Sequence, residues 1–82
     1  MSSDQADKTI REHDVVVLLR DHPEVNLLAG DTGVAVYAYG NADAFEVEFP
    51  NPAGKPCFLV VTIEARDLLK LHTRAHFGRV AS

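Results

Sequence analysis

The sequence of this 82-residue chain predicts an all-β fold, a small barrel of five antiparallel strands. Short runs of β-branched and aromatic residues recur along the chain, and clusters of Gly, Pro, Asn and Asp separate them. A convincing long helix is absent. Closing the sheet would also remove the unpaired strand edges that so small a chain could not otherwise protect.

The N-terminal part of the chain is predicted to contribute one strand. Residues 1–12 show no periodicity and are predicted to form a flexible N-terminus. Residues 14–19 read D-V-V-V-L-L, a β-branched run of strand length. Residues 20–30 contain breakers and scattered apolar residues, which predict a loop folded back over the core.

A hairpin is the most clearly patterned part of the chain. A tight turn between Gly30 and Gly33 leads into a strand at 34–39, and a four-residue turn leads into a second strand at 44–49. This turn pairs Tyr39 with Ala44. The same register places three apolar pairs on one face: Val34 with Phe49, Val36 with Val47, and Ala38 with Phe45.

The C-terminal third is predicted to complete the barrel. The Pro-rich residues 50–56 form a turn, 58–63 the fourth strand and 64–67 a 3₁₀ turn. Residues 69–71, extending to 73, would be a short fifth strand. The alternative is a C-terminal helix over 64–77, because Leu68, Leu71 and Ala75 have helical spacing. The predicted boundaries are a barrel at 13–73 and a basic tail at 74–82.

The net charge of −4 is unevenly distributed. Residues 14–63 hold seven acids against two bases, whereas the chain from Arg66 onward holds four bases against one acid. An acidic body repels phosphate, so nucleic-acid binding on the barrel is disfavoured. The basic end is better suited to folding back or to an acidic partner.

Cysteine content and apolar runs indicate a cytoplasmic protein. Cys57 is the single cysteine, so no internal disulfide forms and no cysteine cluster can hold zinc. The polar N-terminus is not a secretory signal, and apolar runs of five residues are too short for a membrane span. We therefore expect Cys57 to be reduced.

A set of short motifs is spread over residues 14–71, about seven-tenths of the chain. The motifs are D-V-V-V-L at 14–18, P-E at 23–24, L-A-G-D-T-G-V at 28–34, V-E-F at 47–49, G at 54, T-I at 62–63 and D-L at 67–68. The set resembles a family of small bacterial proteins catalogued only as a domain of unknown function. That resemblance implies an SH3-like barrel. The segment G-D-T-G-V also resembles the KOW-type turn of SH3-like domains that bind RNA or proteins, but only acids lie near it here.

Catalytic and metal-binding patterns are weak. Glu46 and Glu48 would lie about 7 Å apart on one strand face, a spacing that glycosidases use, but strand alternation alone explains it. His72 and His76 form an H-x-x-x-H pair without a third ligand or a general base. Cys57 lacks a local base. We expect no cofactor and no enzymatic activity, and a small hydrolase or metal enzyme is the third-ranked function.

The outside of the central sheet is the predicted binding surface. The fourth strand is apolar on both faces, so with Leu59, Val61 and Ile63 in the core the other residues require a cover. That cover would be the tail, a second copy in a homodimer, or another protein. The leading prediction is a protein-interaction module of antitoxin, immunity or accessory type; a KOW-like RNA- or ribosome-associated module is the alternative. The predicted surface residues are Tyr37, Tyr39, Glu46, Glu48, Phe58 and Val60.

Overall fold

Five antiparallel strands form one sheet in the computed structural model, which describes residues 9–74. The strands are β1 (Asp14–Leu18), β2 (Thr32–Tyr39), β3 (Ala44–Pro50), β4 (Phe58–Glu64) and β5 (Leu68–Arg74). Their order across the sheet is β4-β3-β2-β1-β5. Two 3₁₀ turns, Pro23–Val25 and Ala65–Asp67, are the helical elements of the described residues. The predicted all-β class is confirmed.

The fifth strand does not close the sheet into a barrel. Among the strands of residues 9–74, β4 pairs only with β3 and β5 pairs only with β1, so these two strands are the edges of an open sheet. The prediction of a closed barrel is therefore wrong. The 3₁₀ turn between them carries the chain from one edge to the other, where β5 completes its pairing with β1. The C-terminal helix is also wrong, because β5 runs as a strand to Arg74.

A β-bulge changes the predicted register of the hairpin. Tyr39↔Ala44 and Ala38↔Phe45 pair as predicted, but the register shifts between Ala35 and Tyr37. The extra residue, Val36, is exposed, and Ala35 takes the core position opposite Val47. Val34 consequently lies opposite Glu48 rather than Phe49. The predicted core positions of Val34 and Val36 are wrong, since a single inserted residue moves every preceding side chain to the other face.

The core lies on one face of the sheet and receives residues from all five strands. Phe45, Val47, Phe49 and Ile63 are buried as predicted, and Leu59 and Val61 are half-buried beside them. Two core residues come from outside the strands: Leu27, from the loop predicted to fold over the core, and Ile10, which precedes the predicted boundary at residue 13. The buried set is Ile10, Val16, Leu18, Leu27, Ala35, Phe45, Val47, Phe49, Ile63 and Leu68.

Candidate binding surface

The face of the sheet opposite the core carries the predicted surface residues. Glu46 and Glu48 alternate along β3 with buried residues, so their side chains project from the other face. Residues directly opposite each other in a ladder share a face, which extends this surface onto β2 and β4. We call it the outer face and define it by Val34, Tyr37, Tyr39, Glu46, Glu48, Phe58, Val60 and Thr62.

One end of the outer face is a hydrogen-bonded cluster around Glu46. The Tyr39 hydroxyl donates to Oε2 of Glu46, and the Thr62 hydroxyl donates to Oε1 at 3.2 Å. The ring of Tyr37 packs edge-on against Tyr39, with centroids 4.9 Å apart and planes at 77°. Glu46 therefore joins β2, β3 and β4 as a hydrogen-bond acceptor, and the two tyrosine rings are held in place beside it.

The hydrogen bond to Glu46 raises the pKa of Tyr39 above its ordinary value of 10.0, and desolvation and the carboxylate charge act in the same direction. The neutral phenol of Tyr39 is the form that donates the hydrogen bond to Glu46. The hydrogen bond therefore stabilises the fold below pH 10, and this stabilisation is lost as pH rises through the folded-state pKa of Tyr39.

Replacing Glu46 by glutamine is expected to lower the pKa of Tyr39, because a neutral amide does not repel the phenolate. Absorbance titration of the phenolate band measures it. The chain has two tyrosines, so a Tyr37→Phe background leaves only Tyr39 to titrate. Glu48→Gln is the matched control and should leave the pKa unchanged. An equal shift in both variants would contradict the assigned hydrogen bond.

The other end of the outer face is an apolar groove around Glu48. Its volume is about 270 Å³, smaller than a typical small-molecule pocket and suited to one or two side chains. Glu48 is half-buried, with Val34 opposite it on β2 and Val60 opposite it on β4. Within residues 9–74 its carboxylate has no hydrogen bond or ion pair. The lining residues are Val15, Thr32, Gly33, Val34, Glu48, Pro50 and Phe58.

The apolar side chains of the outer face are strongly exposed. Tyr37 is 51% exposed, Phe58 54% and Val60 57%. Large apolar side chains that adjoin one another on a surface mark an interaction site more often than isolated ones. All six predicted surface residues thus lie on one face, as two adjoining groups that meet along β3.

Sequence reasoning missed two residues of the outer face, Val34 and Thr62, and it also missed Val15, which lines the groove. Thr62 lies opposite Glu46 only because β3 and β4 pair without a shift, and the seven-residue Pro-rich turn does not fix that register from sequence. Val34 reaches the outer face through the bulge, and Val15 lies opposite it on β1.

The histidines and Cys57 form no metal site in the described part of the chain, which contains no group of three or more ligating side chains. His72 belongs to β5, and its side chain is outside the described structure, as is the whole of His76. Cys57 is exposed. His22 lies 3.3 Å from Glu24 and 3.7 Å from Asp67, joining the first loop to the second 3₁₀ turn.

Two of the four basic residues from Arg66 onward, Arg66 and Lys70, lie close to acidic side chains. The ammonium of Lys70 lies 3.4 Å from the carboxylate of Asp14 and donates to the carbonyl of Thr9 at 3.2 Å. The guanidinium of Arg66 lies 2.7 Å from Glu64. The side chain of Arg74 and the whole of Arg79 lie outside the described structure.

None of the helical segments within residues 9–74 could span a membrane.

Comparison with known proteins defines the class of this small all-β domain. Residues 12–70 match a family described as a domain of unknown function, DUF4926. The match covers most of the chain, so the protein belongs to this family, in agreement with the resemblance seen in its motifs. No curated protein and no solved structure matches the chain.

Proposed function

We propose that the protein is a non-enzymatic interaction module that binds a larger protein through its outer face. The supporting observation is the combination in one groove of exposed apolar side chains with Glu48, a half-buried carboxylate that has no partner among the described residues. Covering an unpaired carboxylate is costly unless the occupant supplies a donor or a positive charge.

The chemistry of the groove defines the partner segment. Apolar walls from Val34 and Phe58 favour an aliphatic or aromatic side chain, and Glu48 favours an adjacent lysine or arginine. The fixed tyrosine pair supplies further rigid aromatic area, which is characteristic of residues that dominate binding energy. A basic residue flanked by apolar ones is the recognition element we propose. Such binding fits an antitoxin, an immunity factor or an accessory subunit.

A cytoplasmic location is part of this proposal, because the exposed Cys57 has no second cysteine in the chain to pair with and would stay reduced there. RNA binding is the weaker candidate because Lys70 is neutralised by Asp14 and the sheet itself is acidic. A protein partner thus fits the charges of the outer face better than a polyanion does.

The test is the double variant Tyr37→Ala with Phe58→Ala. Proteins that co-purify with the tagged full chain are identified, and the affinity of the one retained is measured by calorimetry. We expect the double variant to weaken binding by at least about 30-fold, since the loss of even one buried aromatic anchor costs about 2 kcal/mol or more. Glu48→Gln should weaken binding as well.

Leu28→Ala is the matched control, because Leu28 is 57% exposed but lies in the loop between β1 and β2. It should leave the affinity unchanged. Equal affinities of the double variant and the wild type would refute the assignment of the outer face, as would a partner that binds Leu28→Ala and the double variant equally weakly.

A further inference from the structure

The edge of β4 that faces away from β3 carries backbone groups that have no partner within residues 9–74, and their positions can be assigned. β4 ends the sheet and pairs with β3 in an unbroken register from Pro50↔Phe58 to Ala44↔Glu64. One hydrogen bond flanks each end of this ladder. The N–H of Asn51 donates to the carbonyl of Cys57 at 2.8 Å, and the N–H of Ala65 donates to the carbonyl of Asp43 at 2.8 Å.

These flanking bonds show which backbone groups of β4 face its neighbour. Bonded and non-bonded positions alternate in an antiparallel ladder, so the odd-numbered residues of β4 are the ones that bond to β3. Phe58, Val60 and Thr62 therefore direct their N–H and C=O groups away from the sheet. Within residues 9–74 no hydrogen bond reaches the backbone of these three residues. A row of such groups on an apolar strand is a template for another strand.

We infer that β4 pairs antiparallel with β4 of a second copy of this chain, across a two-fold axis at Val60. In this register Val60 lies opposite Val60 of the second copy, and Phe58 lies opposite Thr62. The three residues with free backbone groups are symmetric about Val60, so each finds a hydrogen-bonding partner in the identical strand. The two five-stranded sheets become one continuous sheet.

The side chains of β4 favour this self-pairing despite the net charge of −4. No charged residue precedes Glu64 in the strand, so the pairs directly opposite each other are apolar or contain Thr62, and no like charges meet. The other edge strand, β5, contains Lys70 and Arg74, and basic residues are a common protection of edges. This inference does not rest on the proposed function, because it depends on the backbone N–H and C=O groups of β4 and not on the outer-face side chains.

Amide hydrogen exchange of the full chain tests the pairing directly. In a dilute sample the amides of Phe58, Val60 and Thr62 should exchange at least about tenfold faster than those of Leu59, Val61 and Ile63, which bond to β3. In a concentrated sample the even-numbered set should become protected. Protection that is independent of concentration would overturn the inference, since the chain itself would then cover the edge, and so would exposure at every concentration.

Val60→Pro is the matching variant, with Val60→Ala as its control. Proline removes the N–H of residue 60, which bonds to nothing within residues 9–74, and edge strands tolerate it. In sedimentation, wild type and Val60→Ala should give twice the 9.0 kDa mass of one chain at high concentration, and Val60→Pro should give the single-chain mass. A Val60→Pro dimer, or a Val60→Ala monomer beside a wild-type dimer, would overturn the inference.

Discussion

Replacing Phe49 by alanine is expected to lower the free energy of unfolding by about 3–5 kcal/mol. The side chain of Phe49 is fully buried, and it packs among residues contributed by several strands. A domain of this size has about 4–12 kcal/mol of stability in total. The variant should therefore lose about a quarter or more of the stability of the domain.

Urea denaturation followed by circular dichroism measures this effect. The midpoint should fall sharply, with the slope little changed if the same surface is exposed on unfolding. Phe58→Ala is the matched control, since Phe58 is 54% exposed and should cost less than about 1 kcal/mol. Similar losses for the two phenylalanines would mean that the two faces of the sheet are wrongly assigned.

The success of sequence reasoning at Phe49 has a physical reason. β3 alternates strictly between apolar residues and the acids Glu46 and Glu48, so only one face of this strand can be buried. Every prediction made from β3 alone is confirmed: its three core residues are buried, and the two glutamates project from the outer face. Charged residues on one face of a strand show that the opposite face is the buried one, without any knowledge of neighbouring strands.

The same reasoning failed in β2 because that strand has no charged face to contrast with an apolar one. Its sequence from Val34 to Tyr39 is apolar or aromatic at every position, so a shift by one residue changes neither face visibly. No local signal in this run marks the bulge at Val36. The groove around Glu48 could not be predicted for this reason, because it depends on Val34 lying on the outer face.

The burial of Ile10 and the open sheet could not be predicted from local sequence patterns either. Ile10 is a single apolar residue in a polar segment, and no periodicity distinguishes it from an exposed one. The failure of β5 to meet β4 is a property of how the whole sheet curves, which strand lengths alone do not determine. The predicted surface residues lie together on the outer face despite these errors, because the prediction depended mainly on β3 and β4, where the side-chain alternation was interpreted correctly.

Gly33 was interpreted from sequence as a turn residue, but it lies within β2 and its importance is steric. A Cβ atom at this position would lie 2.6 Å from the carbonyl oxygen of Glu48, 2.8 Å from Cδ1 of Phe49 and 2.9 Å from Cγ1 of Val47. The first of these contacts is with backbone, which cannot rotate away. An added methyl group must therefore push β2 and β3 apart.

Gly33→Ala is expected to destabilise the domain by about 2–3 kcal/mol, at the upper end of the cost of overpacking. The loss of chain entropy in the unfolded state that alanine brings, about 0.4–1 kcal/mol, does not offset it. Urea denaturation measures the total loss in the free energy of unfolding, and amide hydrogen exchange shows which strands are destabilised. Exchange should accelerate across the β2–β3 ladder, including the paired residues Val34 and Glu48, because the strain falls between those strands.

Gly30→Ala separates this effect from ordinary glycine strain. Gly30 has a positive φ of 96° but nothing within 4 Å of its Cβ position, so its substitution should cost only about 1–2 kcal/mol of backbone energy. That strain should leave the exchange of the β2–β3 ladder unchanged. A contradicting result would be a Gly33→Ala variant that is no less stable than Gly30→Ala and leaves the exchange of the β2–β3 ladder unchanged. In that case β2 and β3 would not approach each other as closely as in this structure. The floor of the groove beside Glu48 would then have a different shape.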